Sequence, residues 1–453
     1  MQKDEQKMEK IVSLAKRRGF VYPGSEIYGG LAGAWDYGPL GVTLKNNIKA
    51  LWWRMFVDGR DDVYGLDSAI LMNKSVWEAS GHVAGFSDPL VEDVKTGKRY
   101  RADQLLEEVG VSVAGLGVEE LDALIIEKGI QSPDGNALSN VRKFNMMFMT
   151  HIGPVHSDAS ASYLRPETAQ GIFVNFKNIV DTFSPKIPFG IGQIGKAFRN
   201  EIAPRDFIFR SREFEQMEIE YFVREEEWQQ WFEHWRASMI EWCEYIGLPK
   251  GSIHELEVPE EDRAHYSKRT IDVEFDYPFG RKELFGLAYR TNYDLTSHSK
   301  KSDAKMEYFD QEKGDRFIPH VIEPSLGVDR AFLAVLVSAY TEDEMGGEKR
   351  VFLKLSPAVA PISVAVFPLL KNKPELVSKA REVFAGLKEV FPRALFDDNG
   401  NIGKRYRRQD EIGTPYCVTI DFDTLEDDTV TVRDRDTGTQ ERVKISELIS
   451  RIK

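Results

Sequence analysis

Two cysteines in 453 residues, Cys243 and Cys417, are too few for a disulfide framework and suit a reducing compartment. Histidine is almost as scarce. The eight present are scattered without metal-ligand spacing, and His82 after Gly81 and His298 in Thr296-Ser297-His298-Ser299 read as loop or polar-pocket residues. Long apolar runs are absent too: Ala331 to Ala339, with Ser338 inside it, falls far short of the roughly 20 residues a membrane span needs. Met1 to Arg18 mixes both signs of charge without an apolar centre, which fits neither a secretory signal nor an acid-poor transit peptide. A soluble, cytoplasmic protein with no membrane partner is expected. Positive charge is also in deficit, 60 Lys and Arg against 73 Asp and Glu, for a formal net charge of -13. Nucleic-acid binding through bulk charge is disfavoured, and only local basic surfaces could serve it, the obvious one being Lys404-Arg405-Tyr406-Arg407-Arg408. The length leaves room for two to four domains.

What the chain does carry is chemistry at regular spacing. In Phe198-Arg199-Asn200-Glu201, Arg199 and Glu201 stand two apart, which on a strand points both side chains to one face. There a guanidinium can meet a phosphate and a carboxylate can accept from an adenine amino group. After a charged loop, Arg210-Ser211-Arg212-Glu213 leads into Phe214, Gln216 and Glu218 alternating with Glu215, Met217 and Ile219, a second strand returning antiparallel. A further element, Glu323-Pro324-Ser325-Leu326-Gly327-Val328-Asp329-Arg330, alternates small and polar residues and then runs into an apolar helix, with Arg330 at the junction.

These two elements resemble the second and third signature motifs of the class II aminoacyl-tRNA synthetases. Leu164-Arg165-Pro166-Glu167-Thr168-Ala169-Gln170-Gly171 and the Tyr28 to Gly41 segment, Y-G-G-L-A-G-A-W-D-Y-G-P-L-G, narrow the resemblance to the dimeric, single-chain glycyl-tRNA synthetases over nearly the whole chain. His151-Ile152-Gly153 is similar to part of a class I signature, but Pro154 follows and no K-M-S-K-S-like loop appears, so class I is rejected.

The resemblance implies ATP, glycine and tRNA(Gly) as substrates. Catalysis would rest on positioning and charge neutralisation rather than on a nucleophilic side chain. Arg199 would hold the α-phosphate, Arg210 and Arg330 the distal phosphates and Glu201 the adenine, which Phe214 and Arg330 would sandwich. Asn200, Phe209, Leu284, Gly327 and Asp329 would complete the ATP site. Magnesium is expected with the phosphates, anchored by Glu283. Glu167, Glu218 and Glu323 would surround the glycine ammonium, with Ser325, Gln216, Phe214 and Arg101 also lining that site. Three close carboxylates without a cation should raise one another's pKa values. Some relatives place a pair of cysteine zinc ligands just before the segment matching Arg99 to Asp103. Here the place reads Val94-Lys95-Thr96-Gly97-Lys98, so no zinc is expected.

The fold class expected is α+β: a class II antiparallel sheet flanked by helices over residues 1–85 and 143–355, an inserted helical subdomain over 86–142, and a mixed α/β anticodon-binding domain over 356–453. Helical spacing of Leu44, Ile48, Leu51, Trp52 and Met55 predicts a helix over Val42 to Phe56, and Val63 to Leu71 reads as a strand. Together they are similar to the first class II motif, which implies a homodimer, although the proline usual in that motif is missing from Asp67 to Lys74. Trp228, Trp231, Phe232, Trp235, Met239 and Trp242 predict a helix over Glu225 to Ile246 whose aromatic face is core. For the insertion, approach to the tRNA acceptor stem and simple packing both stand. For Lys404, Arg405, Arg407 and Arg408, tRNA contact stands beside a solvated basic helix face.

Overall fold

The computed structural model describes residues 2–113, 115–155 and 157–452. An opening helix α1 (Gln2–Arg17) precedes α2 (Pro39–Trp53), which starts with Gly38 as cap and Pro39 in the first turn, where a missing N–H costs nothing. A π-helical turn at Arg54–Asp58 carries the chain into β1 (Val63–Gly65). There follow α3 (Ala169–Phe183), β2 (Phe189–Phe198), β3 (Glu213–Val223), α4 (Trp228–Tyr245), β4 (Ile253–Glu257), β5 (Arg269–Tyr277), β6 (Gly280–Thr291), α5 (Tyr293–Ser302), β7 (His320–Gly327) and α6 (Val328–Ala339). The seven strands form one sheet in the order β4-β5-β6-β7-β3-β2-β1, antiparallel except where β1 runs parallel to β2.

Alternation along β3 decides what each face of this sheet does. Met217, Ile219 and Tyr221 point into the main core, where Phe232, Trp235, Met239 and Trp242 of α4 and Phe332 and Leu336 of α6 lie buried. The tryptophan stripe is therefore core, as its spacing predicts, and each such side chain contributes on the order of 1.5–3 kcal/mol by leaving water. Gln216, Glu218 and Glu220 point to the opposite face, toward the site. β1 is shorter than predicted. Leu66 N–H still reaches Gly192 O at 2.9 Å, but the chain then leaves the sheet, and Leu71 makes only an isolated bridge to Leu164.

The inserted segment contains the expected short helices, Ala102–Glu108 and Val118–Glu127. It also contains a three-stranded antiparallel sheet of Ser87–Glu92, Arg99–Arg101 and Arg142–Asn145 that the sequence reading missed. Strands as short and charged as R-Y-R and R-K-F-N carry no apolar alternation to read. This unit is thus mixed α and β rather than helical, with its own core of Val91, Leu105, Leu106, Leu121 and Ile125.

The C-terminal part is a second α/β unit with a separate core. Its elements are β8 (Val364–Pro368), α7 (Pro374–Val390), β9 (Ala394–Phe396), α8 (Ile402–Ile412), β10 (Tyr416–Ile420), β11 (Thr429–Asp434) and β12 (Gln440–Lys444). The sheet order β9-β8-β10-β11-β12 is parallel on one side and antiparallel on the other. Strand β12 carries little sequence signal of its own, its Q-E-R-V-K pattern offering one apolar residue. The closing helix begins at Leu448, after a 3-10 turn over Ile445–Glu447. Fully buried Arg350 ties this unit to the first, bonding Asp343 at 2.5 Å, Asp410 at 3.3 Å and Arg435 O at 2.7 Å. Among the described residues no helix is long and apolar enough to cross a membrane.

Candidate active site

Two adjoining cavities open on the polar face of the large sheet and share Arg199, Gln216, Glu283 and Ser325 in their walls. The larger, about 330 Å³, is also lined by Arg101, Glu201, Phe209, Arg210, Phe214, Leu284, Gly327, Asp329 and Arg330. The smaller, about 240 Å³, is lined by Glu167, Glu218, Glu323, Tyr266, Asp272 and Gly286 among others.

β2 and β3 pair antiparallel as expected, with Glu213 opposite Phe198 and Gln216 opposite Gly195. The strand, however, ends at Phe198. Arg199 and Glu201 reach the cavity from the turn beyond it, so strand alternation does not explain their shared direction. Backbone bonds do: Arg199 N–H donates to Arg212 O at 2.9 Å, and Asn200 N–H to Met146 O at 2.7 Å. Arg199 lies between the rings of Phe86 and Phe214, 5.3 Å from each centroid, and donates from Nε to Pro166 O at 3.1 Å. Across the cavity Arg330 stacks over Phe209 at 4.6 Å and pairs with Glu283 at 2.9 Å. Arg210 faces Glu201 at 4.0 Å. Three guanidiniums thus converge on one cavity whose walls also present aromatic faces, an arrangement suited to a polyphosphate attached to a planar base.

The smaller cavity is acidic. Glu218 is buried, its Oε1 accepting from Ser325 Oγ at 2.6 Å and its Oε2 from the Thr168 hydroxyl. Glu323 accepts from Arg290 Nη1 at 2.7 Å, and Arg290 also grips Asp294 with two bonds of 2.8 Å. Glu167 lies 3.3 Å from His82 Nε2 and accepts from Gln170 at 3.1 Å. Burial pushes Glu323 up to about 8 against the pull of Arg290, the charges of Glu218 and Glu167 adding to the rise. Burial raises Glu218 as well, with Glu167 adding to it. Glu167 departs from the expected mutual rise: burial opposes its ionisation, but the His82 charge and hydrogen bond, with Arg290, outweigh burial and hold it below the ordinary carboxylate range.

Arg290, Asp294, Thr168 and Tyr266 also belong to this cluster and were not singled out as site residues from the sequence, whereas His82, read there as a loop or polar-pocket residue, pairs with Glu167. Arg290 is 1% exposed, bonded to Asp294 four residues on, and lies 3.8 Å over the Tyr266 ring. The only local signal was R-T-N-Y-D, an ion pair spaced across a strand-to-helix junction.

Several expected site residues stand elsewhere. Arg101 lines the larger cavity, not the glycine side, and is engaged by Asp88 at 2.7 Å and Asp103 at 2.5 Å. Phe214 borders only the larger cavity, while Gln216 borders both. Asn200 contributes its backbone to the turn and is outside both linings. Asp329 is on the wall, but its carboxylate is taken by the Tyr37 hydroxyl, by Lys45 Nζ at 2.8 Å and by Glu215 N–H at 2.7 Å. It fastens β3 to α2 beneath the site instead of offering a free ligand to nucleotide. In α8, Arg405 is buried and donates to the carbonyls of Pro368, Asp398 and Gly400, which removes it from any nucleic-acid face. Arg408 is held by Asp397 at 2.6 Å and Arg407 by Glu348 at 3.2 Å, leaving Lys404 as the exposed cation of the four.

Glu283 and Asp272 supply oxygen donors suited to a hard divalent cation. Burial, with the charges of Glu283 and Glu274, pushes Asp272 up to about 7, as expected of a carboxylate pair that gains from added positive charge. The turn at Val94 to Lys98 is organised by Asp93, which accepts from Lys95 N–H and Thr96 N–H at 2.9 Å, Ser132 at 2.6 Å and Asn136 at 3.0 Å.

Comparison with known proteins agrees with this geometry. Residues 155–340 match the family described as tRNA synthetase class II core domain (G, H, P, S and T), and residues 363–453 match the family described as anticodon binding domain. A glycine–tRNA ligase of Caldanaerobacter subterraneus subsp. tengcongensis is 52% identical over 97% of this chain and 96% of its own. Glycine–tRNA ligases of Deinococcus radiodurans and Thermobifida fusca are each 51% identical, covering 97% of this chain and 97% and 96% of theirs. With identity of this level along the whole length and both domain types matched, the chain belongs to the glycine–tRNA ligase family of class II aminoacyl-tRNA synthetases.

Proposed function

We propose that this protein activates glycine with ATP and transfers it to the terminal ribose of tRNA(Gly), with the larger cavity as the ATP site and the acidic one as the glycine site. The observation that carries the reading is the shared wall of Arg199, Gln216, Glu283 and Ser325, which sets a polyphosphate site directly against an ammonium site. Glycine bound by its ammonium between Glu167, Glu218 and Glu323 directs its carboxylate toward Arg199. That guanidinium neutralises the α-phosphate as the carboxylate oxygen attacks phosphorus and pyrophosphate departs. Arg210 and Arg330 take up the charge that develops on the leaving group. Glu201 accepts from the adenine amino group, and Phe214 and Arg330 cover the faces of the base. Selectivity is assigned to steric exclusion, with Tyr266 on the wall of the acidic cavity and Arg290 packed over its ring as the groups that a larger side chain would meet. Magnesium, held by Glu283 with Asp272, would neutralise phosphate charge.

The same reading assigns residues 1–85 and 143–355 to catalysis, 86–142 to an inserted unit and 356–453 to anticodon recognition. It places the protein in the cytoplasm as a homodimer, with exposed Ile27, Tyr28 and Leu31 as apolar surface for a second copy. Lys404 is the α8 cation of the four left to contact tRNA. The test is amino-acid-dependent exchange of labelled pyrophosphate into ATP, without tRNA, across all standard amino acids. Exchange with glycine alone is expected. Exchange with another amino acid would overturn the glycine pocket, and no exchange in folded protein with magnesium would overturn the activity.

A further inference from the structure

Two residues beyond Glu218 on the same face of β3, Glu220 is fully buried, and among the described residues neither of its carboxylate oxygens has a hydrogen-bond partner. One oxygen from each of Glu218, Glu220 and Glu323 lies within 4.8 Å of the others. The charged groups that face Glu220 are Glu323 on β7, Arg290 on β6, Glu218 on its own strand and Asp294 in α5. Glu167 and Tyr266 border the same cluster from their loops. Arg290 bonds Asp294 and Glu323 and makes no hydrogen bond to Glu220. Glu218 is also committed, to Ser325 and Thr168. An ionised carboxylate with no donor, buried among acids, costs several kcal/mol, whereas a neutral acid costs much less. The neutral form carries an O–H that needs an acceptor, and the carboxylates grouped with it are Glu218 and Glu323, one oxygen of each within 4.8 Å.

We infer that Glu220 is a positioning residue of the ammonium pocket: without glycine it holds a proton against Glu323, and the glycine ammonium expels that proton to solvent. The inference rests on the proposed glycine site. In the exchange the O–H bond of the Glu220–Glu323 pair breaks, and the proton passes through the pocket mouth to water. The ammonium arrives with its own three protons intact, so one positive charge enters as one leaves, and no covalent bond forms. The acid cluster is thereby kept neutralised whether or not glycine is bound. Proton and glycine compete, so apparent glycine affinity rises with pH until the pair is ionised, by about tenfold per pH unit for one proton. Burial, with the charge of Glu323 adding to it, raises Glu220 well above the ordinary carboxylate value, which places the rise above that value.

Pyrophosphate exchange at saturating ATP and magnesium tests this directly. The wild-type KM for glycine should fall about tenfold per unit between pH 6 and 7.5. In Glu220→Gln the amide is a permanent neutral donor to Glu323, which then stays ionised, so the slope should vanish while the pH dependence of the KM for ATP stays as in the wild type. A Glu220→Gln protein that keeps the slope and shows only a uniform offset in glycine KM assigns Glu220 to packing and overturns the inference. Calorimetric titration of the wild type with glycine at pH 7, in two buffers of different ionisation heat, needs no variant. Release of about one proton supports the inference and release of none overturns it. If the wild type shows no glycine-dependent exchange at all, the proposed function itself fails, a result distinct from a missing slope.

Discussion

Replacing Glu218 by Gln separates the two cavities energetically. The side chain is 2% exposed and its oxygens accept from Ser325 Oγ at 2.6 Å and from the Thr168 hydroxyl. A Gln amide has nearly the same shape, and because a hydroxyl both donates and accepts, Ser325 and Thr168 can rotate to satisfy either end of it. The fold therefore survives, and what disappears is the negative charge that meets the glycine ammonium. A hydrogen bond to a charged group is worth about 1.5–3 kcal/mol, so the KM for glycine should rise about 10- to 150-fold. Glu218 lines the acidic cavity and not the larger one, so the KM for ATP should change less than about twofold. Pyrophosphate exchange with each substrate varied in turn reads both constants, and a thermal melt checks the fold. An unchanged glycine KM, or equal loss for glycine and ATP, would refute the assignment of Glu218 to the ammonium.

Other outcomes follow from the same geometry. Arg330→Ala removes the pair with Glu283 and the cover over Phe209, and should lower adenylate formation about 10²- to 10³-fold with circular dichroism unchanged; near-normal exchange would dismiss its phosphate role. Glu323, raised by burial to about 8, binds more protons folded than unfolded, so its contribution is fully present below its ordinary pKa of 4.5 and is lost as pH rises through 8. Glu323→Gln should therefore gain in melting temperature relative to the wild type as pH rises from 5 to 8, and a constant difference across that window would contradict the assignment. In the C-terminal unit, Lys404→Ala should weaken tRNA binding and reduce its salt dependence by about one ion. Arg405→Ala should instead lower the stability of that unit, measured by its unfolding in denaturant, because three carbonyls lose their donor.

What could be read from the residues alone was whatever repeats locally. Alternation marked β3 and its two faces, three-to-four spacing marked α4 as core, and Arg199, Glu201, Phe214 and Arg330 stood out because short motifs keep phosphate-binding types in order. The acids Glu167, Glu218 and Glu323 come from three distant segments, and only resemblance suggested that they meet. Their meeting is a matter of register: β7 lies beside β3 with Ser325 opposite Glu218, while α3 brings the Glu167 loop over the sheet.

Tertiary structure alone decided the charge state of that cluster and the fate of each arginine. Nothing local distinguishes Arg405, which is buried among carbonyls, from exposed Lys404 one position before it, since a helix turns successive side chains by about 100° and only the packing partner says which face is inside. Nor does sequence announce that Arg101 and Asp329 are engaged by neighbours, that His82 holds Glu167 ionised, or that Glu220 sits behind the pocket without a donor. Desolvation and charge pairing depend on distances between segments remote in the chain. The sequence thus determined the family, the strands and the chemical repertoire, and the packing of those strands determined which charges are neutralised, which are free and where a proton must reside.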